Sequence, residues 1–322
     1  MINLRYHIVS LVAVFLALAL GILMGSTVID RVIVDELRER VEVVGARASN
    51  TERVNTELRT ELESLHGFAD EARDQLVLGR LRGVPVLVVA VQGVERRPVD
   101  AVRQALAAAD AVPAGTLLFT NKLRLDNDAD MRALASTVGA NPAAGPESVR
   151  RQALTRLAAV LDGTANDATL LPALAAGGFV GYEPPSPTAT TTTLGLGSFP
   201  VANLRLVVVS GAGAEVGDDR VGIPFAQALV AQAPASPQAG GSAVAGFVAA
   251  ESGRDTPGGR AVFVGSLRGD GSISARLSTV DNLESPIGQA AAVLALADLE
   301  DGRTGHYGRG PAAQRLLPSL EP

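Results

Sequence analysis

The chain has 322 residues, and its 28 basic and 34 acidic side chains are well mixed and give a net charge of −6. Such a balance offers no basic patch for nucleic acid, so we expect no nucleic-acid partner. Cysteine is absent, which excludes disulfides, thiolate nucleophiles and cysteine-ligated metals.

The first predicted element is an apolar run of 22 residues, 8–29, without a charged side chain. A helix needs roughly 20 apolar residues to cross a bilayer, so this run is predicted to be a transmembrane helix behind a short head, 1–7. A secretory signal usually has an apolar stretch of only about 7 to 15 residues. A cleaved signal and a buried core helix remain alternatives, and a retained single-pass anchor is favoured.

The side of the membrane that the rest of the chain occupies is a weaker inference. Basic residues set orientation, and Arg5 precedes the apolar run whereas Arg31, Arg38 and Arg40 follow it, so the bias is slight. A short head suits a signal-anchor that stays inside while the rest is exported. We therefore expect the globular domain on the extracytoplasmic side of the cell membrane.

Residues 30–82 are predicted to form a coiled-coil stalk that is continuous with the membrane helix. From Val34 the apolar positions alternate in spacings of three and four through six heptads, a repeat that drives a left-handed coiled coil. Asn55 stands at an a position, where a single Asn fixes register and favours two strands. We expect a parallel homodimer, with an amphipathic helix lying on its own globular domain as the alternative. The association residues named for the seam are Leu37, Val44, Asn55, Leu58, Leu62 and Leu65.

The membrane helix carries a second association motif. Gly21 and Gly25 form G-x-x-x-G, which lets two helices approach closely in lipid. The motif alone is a weak signal, because glycine is common in membrane helices. Its crossings tend to be right-handed whereas the heptads require a left-handed coil, so we expect the geometry to change at residues 26–27.

Residues 83–310 are predicted to form an α/β domain. The run 84–91 is continuously apolar and β-branched, as in a strand buried on both faces, and helical patterns alternate with further strands. This alternation is typical of a parallel sheet. A loop at 183–200 interrupts the domain and residues 311–322 form a tail; whether the two halves share one sheet is open, and one domain is favoured. The predicted strands are 84–91, 116–120, 204–210, 244–249 and 276–280, and the predicted helices are 98–110, 126–138, 147–162, 221–232 and 285–299.

A glycine-rich turn after the strand at 204–210 invites a dinucleotide interpretation. Gly211 and Gly213 fit G-x-G-x-x-G, but the third glycine is replaced by Val216. A plain turn at the strand end is favoured, and we expect no cofactor.

Metal and acid–base chemistry find little support in the sequence. Asp126, Asp128 and Asp130 resemble the start of a calcium loop, but its required Gly is replaced by Met131, so helix capping is favoured. The three histidines are scattered over anchor, stalk and tail, whereas copper prefers clustered thiolate, thioether or imidazole donors. No nucleophile motif is present, so we expect a non-enzymatic protein without a metal site in one chain.

Three stretches carry a resemblance to a known family: the opening INLRYHIVSLVAVFLALALGILMGS, the segment Ser278–Asn282 and the segment Gly305–Pro311. The chain resembles the actinobacterial copper-transporter family MctB, which is related to the corynebacterial protein SteB. The order of anchor, stalk and α/β domain matches over nearly the whole chain.

The resemblance implies two different functions. Mycobacterial members are associated with copper homeostasis as an envelope channel, whereas corynebacterial members partner the membrane protein SteA in regulating peptidoglycan cleavage at cell separation. A dimeric scaffold is favoured on physical grounds, with a SteA-like partner and a copper channel subunit as alternatives. Copper as a ligand is implied by the resemblance alone.

Seven residues stand out in the stretches that carry the resemblance. Three of them lie just before the membrane helix: Arg5, Tyr6 and His7. In a functional interpretation they contact a cytoplasmic partner or lipid head groups. In the favoured interpretation they anchor the helix at the membrane–water interface. The other four line a pocket of the globular domain or serve turns and helix caps. These four are Asp281, Asn282, His306 and Tyr307.

Overall fold

The structure is a computed structural model that describes residues 4–185, 203–233, 246–253 and 262–319; for residues 4, 5 and 26–36 it describes the backbone only. The chain divides into two compact units, one that runs to His66 and one that begins at Gly67. Most of the predicted loop at 183–200 and the ends of the predicted head and tail lie outside the described residues.

The first unit is helical. Helix α1 runs over Leu4–Val77, so a single helix covers the apolar run and most of the heptad positions. Among the described residues, Tyr6–Gly25 is the one helical segment long and apolar enough to cross a membrane, with a mean hydropathy of 2.7 and none of it buried. The pairing of this helix with a second copy remains a prediction.

The second unit is built on one seven-stranded sheet, so the prediction of an α/β domain with a mostly parallel sheet is confirmed. The strand order is β3-β2-β1-β4-β5-β6-β7, and only β3 is antiparallel to its neighbour. Both halves of the domain contribute strands to this sheet. The strands are β1 Pro85–Val91, β2 Val112–Phe119, β3 Val180–Glu183, β4 Arg205–Gly211, β5 Phe247–Ser252, β6 Ser278–Val280 and β7 His306–Tyr307.

Helices cover both faces of the sheet, because the central strands carry apolar side chains on both faces. Strands β1, β4 and β5 are buried along almost their whole length, as continuous apolar strands of a parallel sheet are. One group of helices packs α2 with α8, and another packs α4 with α3 and α6, and α6 with α7. The helices of the described residues in this unit, after α1, are α2 Arg96–Ala108, α3 Asp128–Val138, α4 Pro146–Leu161, α5 Leu170–Ala176, α6 Gly222–Gln232, α7 Val262–Gly269 and α8 Pro286–Asp298.

The sequence did not predict four short elements: β3, α5, α7 and β7. Each has eight residues or fewer, and β3 contains Gly181 while α5 contains Pro172, residues that weaken a strand or helix pattern. Strand β2 also begins four residues before the predicted start, and its register with β1 shifts between Val86 and Val88.

The last turns of α1 belong to the second unit and pack on it. Val77 and Leu81 are buried, and the main-chain N–H of Leu81 donates to Ala109 O at 2.9 Å. The guanidinium of Arg73 donates to Gln289 Oε1 at 2.6 Å, and both side chains are buried. The end of α1 is therefore held on the domain by packing and hydrogen bonds, in addition to its covalent connection.

Candidate functional site

The two C-terminal stretches that carry the resemblance lie side by side in the sheet. Strands β6 and β7 pair in parallel, with Thr279 opposite His306 and Val280 opposite Tyr307. This pairing places Asp281 beside the turn that follows β7. The structure thus brings together three of the four residues singled out in the domain, Asp281, His306 and Tyr307.

A buried arginine from α7 joins these stretches. Arg268 donates from Nε to Thr279 Oγ1 at 2.8 Å, from Nη1 to Asp281 Oδ2 at 2.7 Å and from Nη2 to Tyr307 O at 2.7 Å. Nη1 also donates to Pro311 O at 3.1 Å. All three guanidinium nitrogens are therefore engaged, and a single side chain connects α7, β6 and the C-terminal segment.

Asp281 completes the connection from the other side. Its Oδ1 accepts from the main-chain N–H of Arg309 at 2.6 Å, and its Oδ2 accepts from that of Gly310 at 2.9 Å. A Cβ on Gly308 would stand 2.0 Å from Asp281 Oδ1, so the close approach of the chain requires glycine there. The carboxylate is buried and fully engaged, which is the condition under which a buried charge is tolerated.

His306 contacts the same network through its ring. The Thr279 hydroxyl accepts from Arg268 Nε and lies 2.9 Å from His306 Nδ1, within hydrogen-bond distance. Burial, followed by the nearby Arg268 charge, lowers the pKa of His306. Burial therefore favours the neutral ring, whose Nδ1 contacts the Thr279 hydroxyl.

Asn282 serves a turn. It has φ of 59° and donates from Nδ2 to Ser285 Oγ at 2.9 Å, and Ser285 in turn caps α8 by accepting from Gly288 N. Its Oδ1 is buried without a hydrogen-bond partner. The turn and capping roles foreseen as alternatives therefore describe Asn282, whereas Asp281 and His306 belong to the network around Arg268.

Sequence reasoning missed Arg268, the centre of this network. Its signal was present, because Arg268 is the one charged residue of α7 and follows an otherwise apolar pattern. The groups that bond to Arg268 come from β6 and Asp281 just after it, from the end of β7 and from the segment that follows, so the arrangement fixes the C-terminal segment.

A second polar group lies at the carboxyl ends of β4 and β5. Burial raises the pKa of Glu251 from its ordinary 4.5 to about 7, although the carboxylate accepts from Val264 N at 2.8 Å. Burial also raises the pKa of Asp218, which accepts from the Ser210 hydroxyl. The Glu251 carboxyl group lies at the start of α7. There it accepts a hydrogen bond from a first-turn N–H, a group that has no partner within the helix.

The glycine-rich stretch begins at Gly211, the last residue of β4, and continues into the turn that follows. Gly211 has φ of +136°, and a Cβ there would stand 1.9 Å from Ser252 O. A Cβ on Gly93 would stand 2.2 Å from Gly213 O. The glycines therefore let neighbouring loops pack on one another. At the acidic stretch, Asn127 caps α3 by accepting from Asp130 N at 2.8 Å, with Asp128 in the first turn.

The predicted association residues all lie on α1 and are accessible. Leu37 is 59% exposed and Leu58 is 50% exposed, and Val44, Leu62 and Leu65 are exposed to similar extents. Asn55 is exposed as well. A Cβ on Gly21 or Gly25 would meet nothing within 4 Å. At the start of the helix Tyr6 and His7 are exposed, and the side chain of Arg5 lies outside the described residues.

Residues suited to copper are dispersed. His7 and His66 lie on α1 and His306 on β7. In the described part of the chain, no group of three or more His, Cys, Asp or Glu is placed to hold a metal ion.

The comparisons with known proteins agree on one family. A family model described as "Copper transport outer membrane protein, MctB" matches residues 1–318. The Mycobacterium bovis and Mycobacterium tuberculosis proteins named "Copper transporter MctB" are each 29% identical over 339 residues, covering 99% of this chain and 100% of theirs. The Mycobacterium leprae protein of that name is 28% identical over 335 residues, covering 98% of this chain and 99% of its own.

Proposed function

The chain belongs to the MctB family, and from this premise we propose that it is a membrane-anchored, non-enzymatic cell-envelope protein that supports copper homeostasis as a dimeric scaffold. The observation that carries the proposal is the set of exposed apolar side chains on α1, in the membrane segment Tyr6–Gly25 and again at the heptad positions from Leu37 onward. Exposing a row of large apolar side chains to water is unfavourable, so such a row indicates a surface that a partner covers.

A second copy of the chain is the partner that this face fits. The heptad repeat places Leu37, Leu58 and Leu65 on one seam, and burying a leucine side chain contributes roughly 1.5–3 kcal/mol. Asn55 in the same seam lowers stability and selects a parallel, in-register pair. Parallel pairing also agrees with a membrane anchor at the same end of both chains.

The scaffold role is preferred to a pore within the membrane. The relatives are named copper transporters, and an ion path requires a polar or charged lining. In the predicted membrane helix, 8–29, no side chain is charged, and the polar ones are the hydroxyls of Ser10, Ser26 and Thr27 and the thioether of Met24. The membrane helices of a dimer would present leucine, valine and alanine to each other, which suits association and not ion passage.

We place the globular domain on the extracytoplasmic side, in keeping with the family description as an outer-membrane transport protein. The scaffold would position this domain for a membrane-protein partner, of which a SteA-like protein is one candidate. Regulation of peptidoglycan cleavage at cell separation is therefore the second proposed function. Both functions use the same anchor and paired helix.

Transport by the protein itself can be measured directly. Full-length protein is reconstituted in liposomes that contain a copper-sensitive dye, and the scaffold proposal predicts no copper entry above protein-free liposomes. Copper entry that depends on the protein would contradict the scaffold and establish the channel. In cells that lack the protein, copper content and septum position are then compared with and without its restoration, which separates the copper role from the cell-separation role.

A further inference from the structure

A cavity of about 1000 Å³ opens between the start of α4 and the start of α6. It lies at the carboxyl end of the sheet, where the segments that follow β2 and β4 meet. Ligands of open α/β sheets bind at this end, outside the carboxyl ends of the strands. Four arginines line the cavity: Arg124, Arg150, Arg151 and Arg220.

Arg150 is the most informative of these residues. It is 8% exposed, and its Nη1 donates to two main-chain carbonyls, Leu123 O at 3.2 Å and Arg124 O at 3.1 Å. Among the described residues no carboxylate forms an ion pair with it within 4.0 Å. Its buried charge is therefore held by main-chain carbonyls, and the carboxylates of Glu147, Asp219 and Asp126 act on it without a direct ion pair.

The charges around Arg150 are mixed, with arginine in excess: three carboxylates, those of Asp126, Glu147 and Asp219, line the cavity together with the four arginines. Burial lowers the pKa of Arg150 most and the like charge of Arg220 is the next cause, whereas the three carboxylates act in the opposite direction. Arg220 has only a long ion pair, with Asp126 at 3.8 Å. The carboxylate of Glu147 is occupied by Arg151 at 2.6 Å. Both guanidinium groups line the cavity; among the described residues Arg150 has no ion pair and Arg220 has only the long one with Asp126, so both can accept a further anionic partner.

Helix orientation acts in the same direction. Helix α4 begins at Pro146 and α6 begins at Gly222, and both starts border the cavity. The free N–H groups at a helix start carry partial positive charge and favour an anion. The arginines and the helix starts therefore both favour a negatively charged ligand, although the chain as a whole has a net charge of −6.

We propose that this cavity binds a small organic oxyanion, a phosphate ester or a carboxylate, whose charge is neutralised by Arg150 and Arg220. The polar wall and the volume suit a ligand of sugar-phosphate or tricarboxylate size. Binding there would link the segments after β2 and β4, because Arg124 already donates from Nε to Glu215 O at 2.6 Å across the same gap. The site is separate from the membrane helix and from the network around Arg268.

Calorimetric titration of the full-length protein in detergent tests the site with three probes: glucose 6-phosphate, citrate and uncharged glucose. We expect saturable binding of at least one anionic probe and none of glucose. The stronger of the two anionic probes identifies the ligand as phosphate or carboxylate. Heats that scale only with ionic strength, or equal heats for glucose, would overturn the proposal.

Two substitutions and a control locate the binding. Arg220→Gln is expected to weaken binding about tenfold, the change that losing one charge-assisted hydrogen bond produces. Glu147→Gln releases Arg151 and is expected to tighten binding about threefold, a gain that misfolding cannot produce. Arg132→Gln removes an equal charge from α3, where Arg132 pairs with Asp128 away from the cavity, and should leave binding unchanged. Equal binding by all three variants and the parent would place any anion elsewhere.

Discussion

Arg268 and Asp281 form a buried ion pair, with 2.7 Å between Nη1 and Oδ2 and side-chain exposures of 1% and 8%. The pair connects α7 to the end of β6, and its further hydrogen bonds hold the segment after β7. The two stretches that carry the family resemblance in the domain therefore converge on one arginine. Their shared role is the anchorage of the C-terminal segment.

Arg268→Met is expected to lower the free energy of unfolding of the domain by about 3–5 kcal/mol, because it leaves the Asp281 carboxylate buried without its partner. Urea unfolding of the full chain in detergent measures the loss. Hydrogen exchange at Arg309 and Gly310 should accelerate. Arg132→Met, which breaks an exposed pair with Asp128, serves as the control and should cost under about 1 kcal/mol. Equal losses in the two variants would show that the network around Arg268 adds no stability.

The stability of the domain should fall as pH rises through the range in which Glu251 holds its proton only when folded. Below pH 4.5 the carboxyl is protonated in both states, between 4.5 and about 7 only the unfolded chain releases the proton, and above about 7 both states are charged. Glu251→Gln removes this penalty of about 3 kcal/mol. The variant should match the parent near pH 4.5 and exceed it at pH 8 in urea unfolding. A difference that is independent of pH would contradict the raised pKa.

Gly211→Ala is expected to destabilise the domain by about 3 kcal/mol or more, because a Cβ there meets Ser252 O and the backbone has positive φ. Gly265→Ala on α7 is the matched control, since a Cβ there meets nothing within 4 Å. Alanine favours a helix over glycine by about 1 kcal/mol, so the control should be neutral or more stable. Thermal unfolding followed by circular dichroism compares the two. Similar melting points would mean that the end of β4 relaxes to accept a side chain.

Arg73→Ala should loosen the last turns of α1 from the domain. It removes a buried donor and leaves Gln289 Oε1 without its 2.6 Å partner, at a cost of about 2 kcal/mol. Hydrogen exchange should rise over Gly67–Val77. Arg53→Ala removes an arginine whose pair with Glu57 is exposed, and should leave exchange in that segment unchanged. The interpretation fails if neither variant alters protection there.

The sequence predicted most of the regular structure, since long patterns report on burial. The β-branched run of β1 and the apolar run of β4 are readable because both strands are covered on both faces. The charge-free run that includes Tyr6–Gly25 is readable because a bilayer requires length and apolarity together. Edge strand β3 and the two-residue β7 carry too few residues for any period to emerge.

The network in the domain could not be predicted in the same way. Arg268 bonds to Thr279, Tyr307 and Pro311, at separations of 11, 39 and 43 residues, and such contacts depend on the completed sheet. The family stretches indicated Asp281 and His306 but not the residue that joins them. Similarly, the arginine-lined cavity combines segments after β2 and β4, which are distant in sequence and show no shared motif.

Pairing of α1 is the claim on which the proposed scaffold depends, and single cysteines test it in native membranes without any background thiol. Leu37→Cys and Leu58→Cys occupy the heptad seam, whereas Thr60→Cys lies on the opposite side of the repeat. After oxidation, the two seam variants should migrate as disulfide-linked dimers and the Thr60 variant should remain monomeric. Monomeric seam variants, or equal cross-linking at all three positions, would contradict a paired helix.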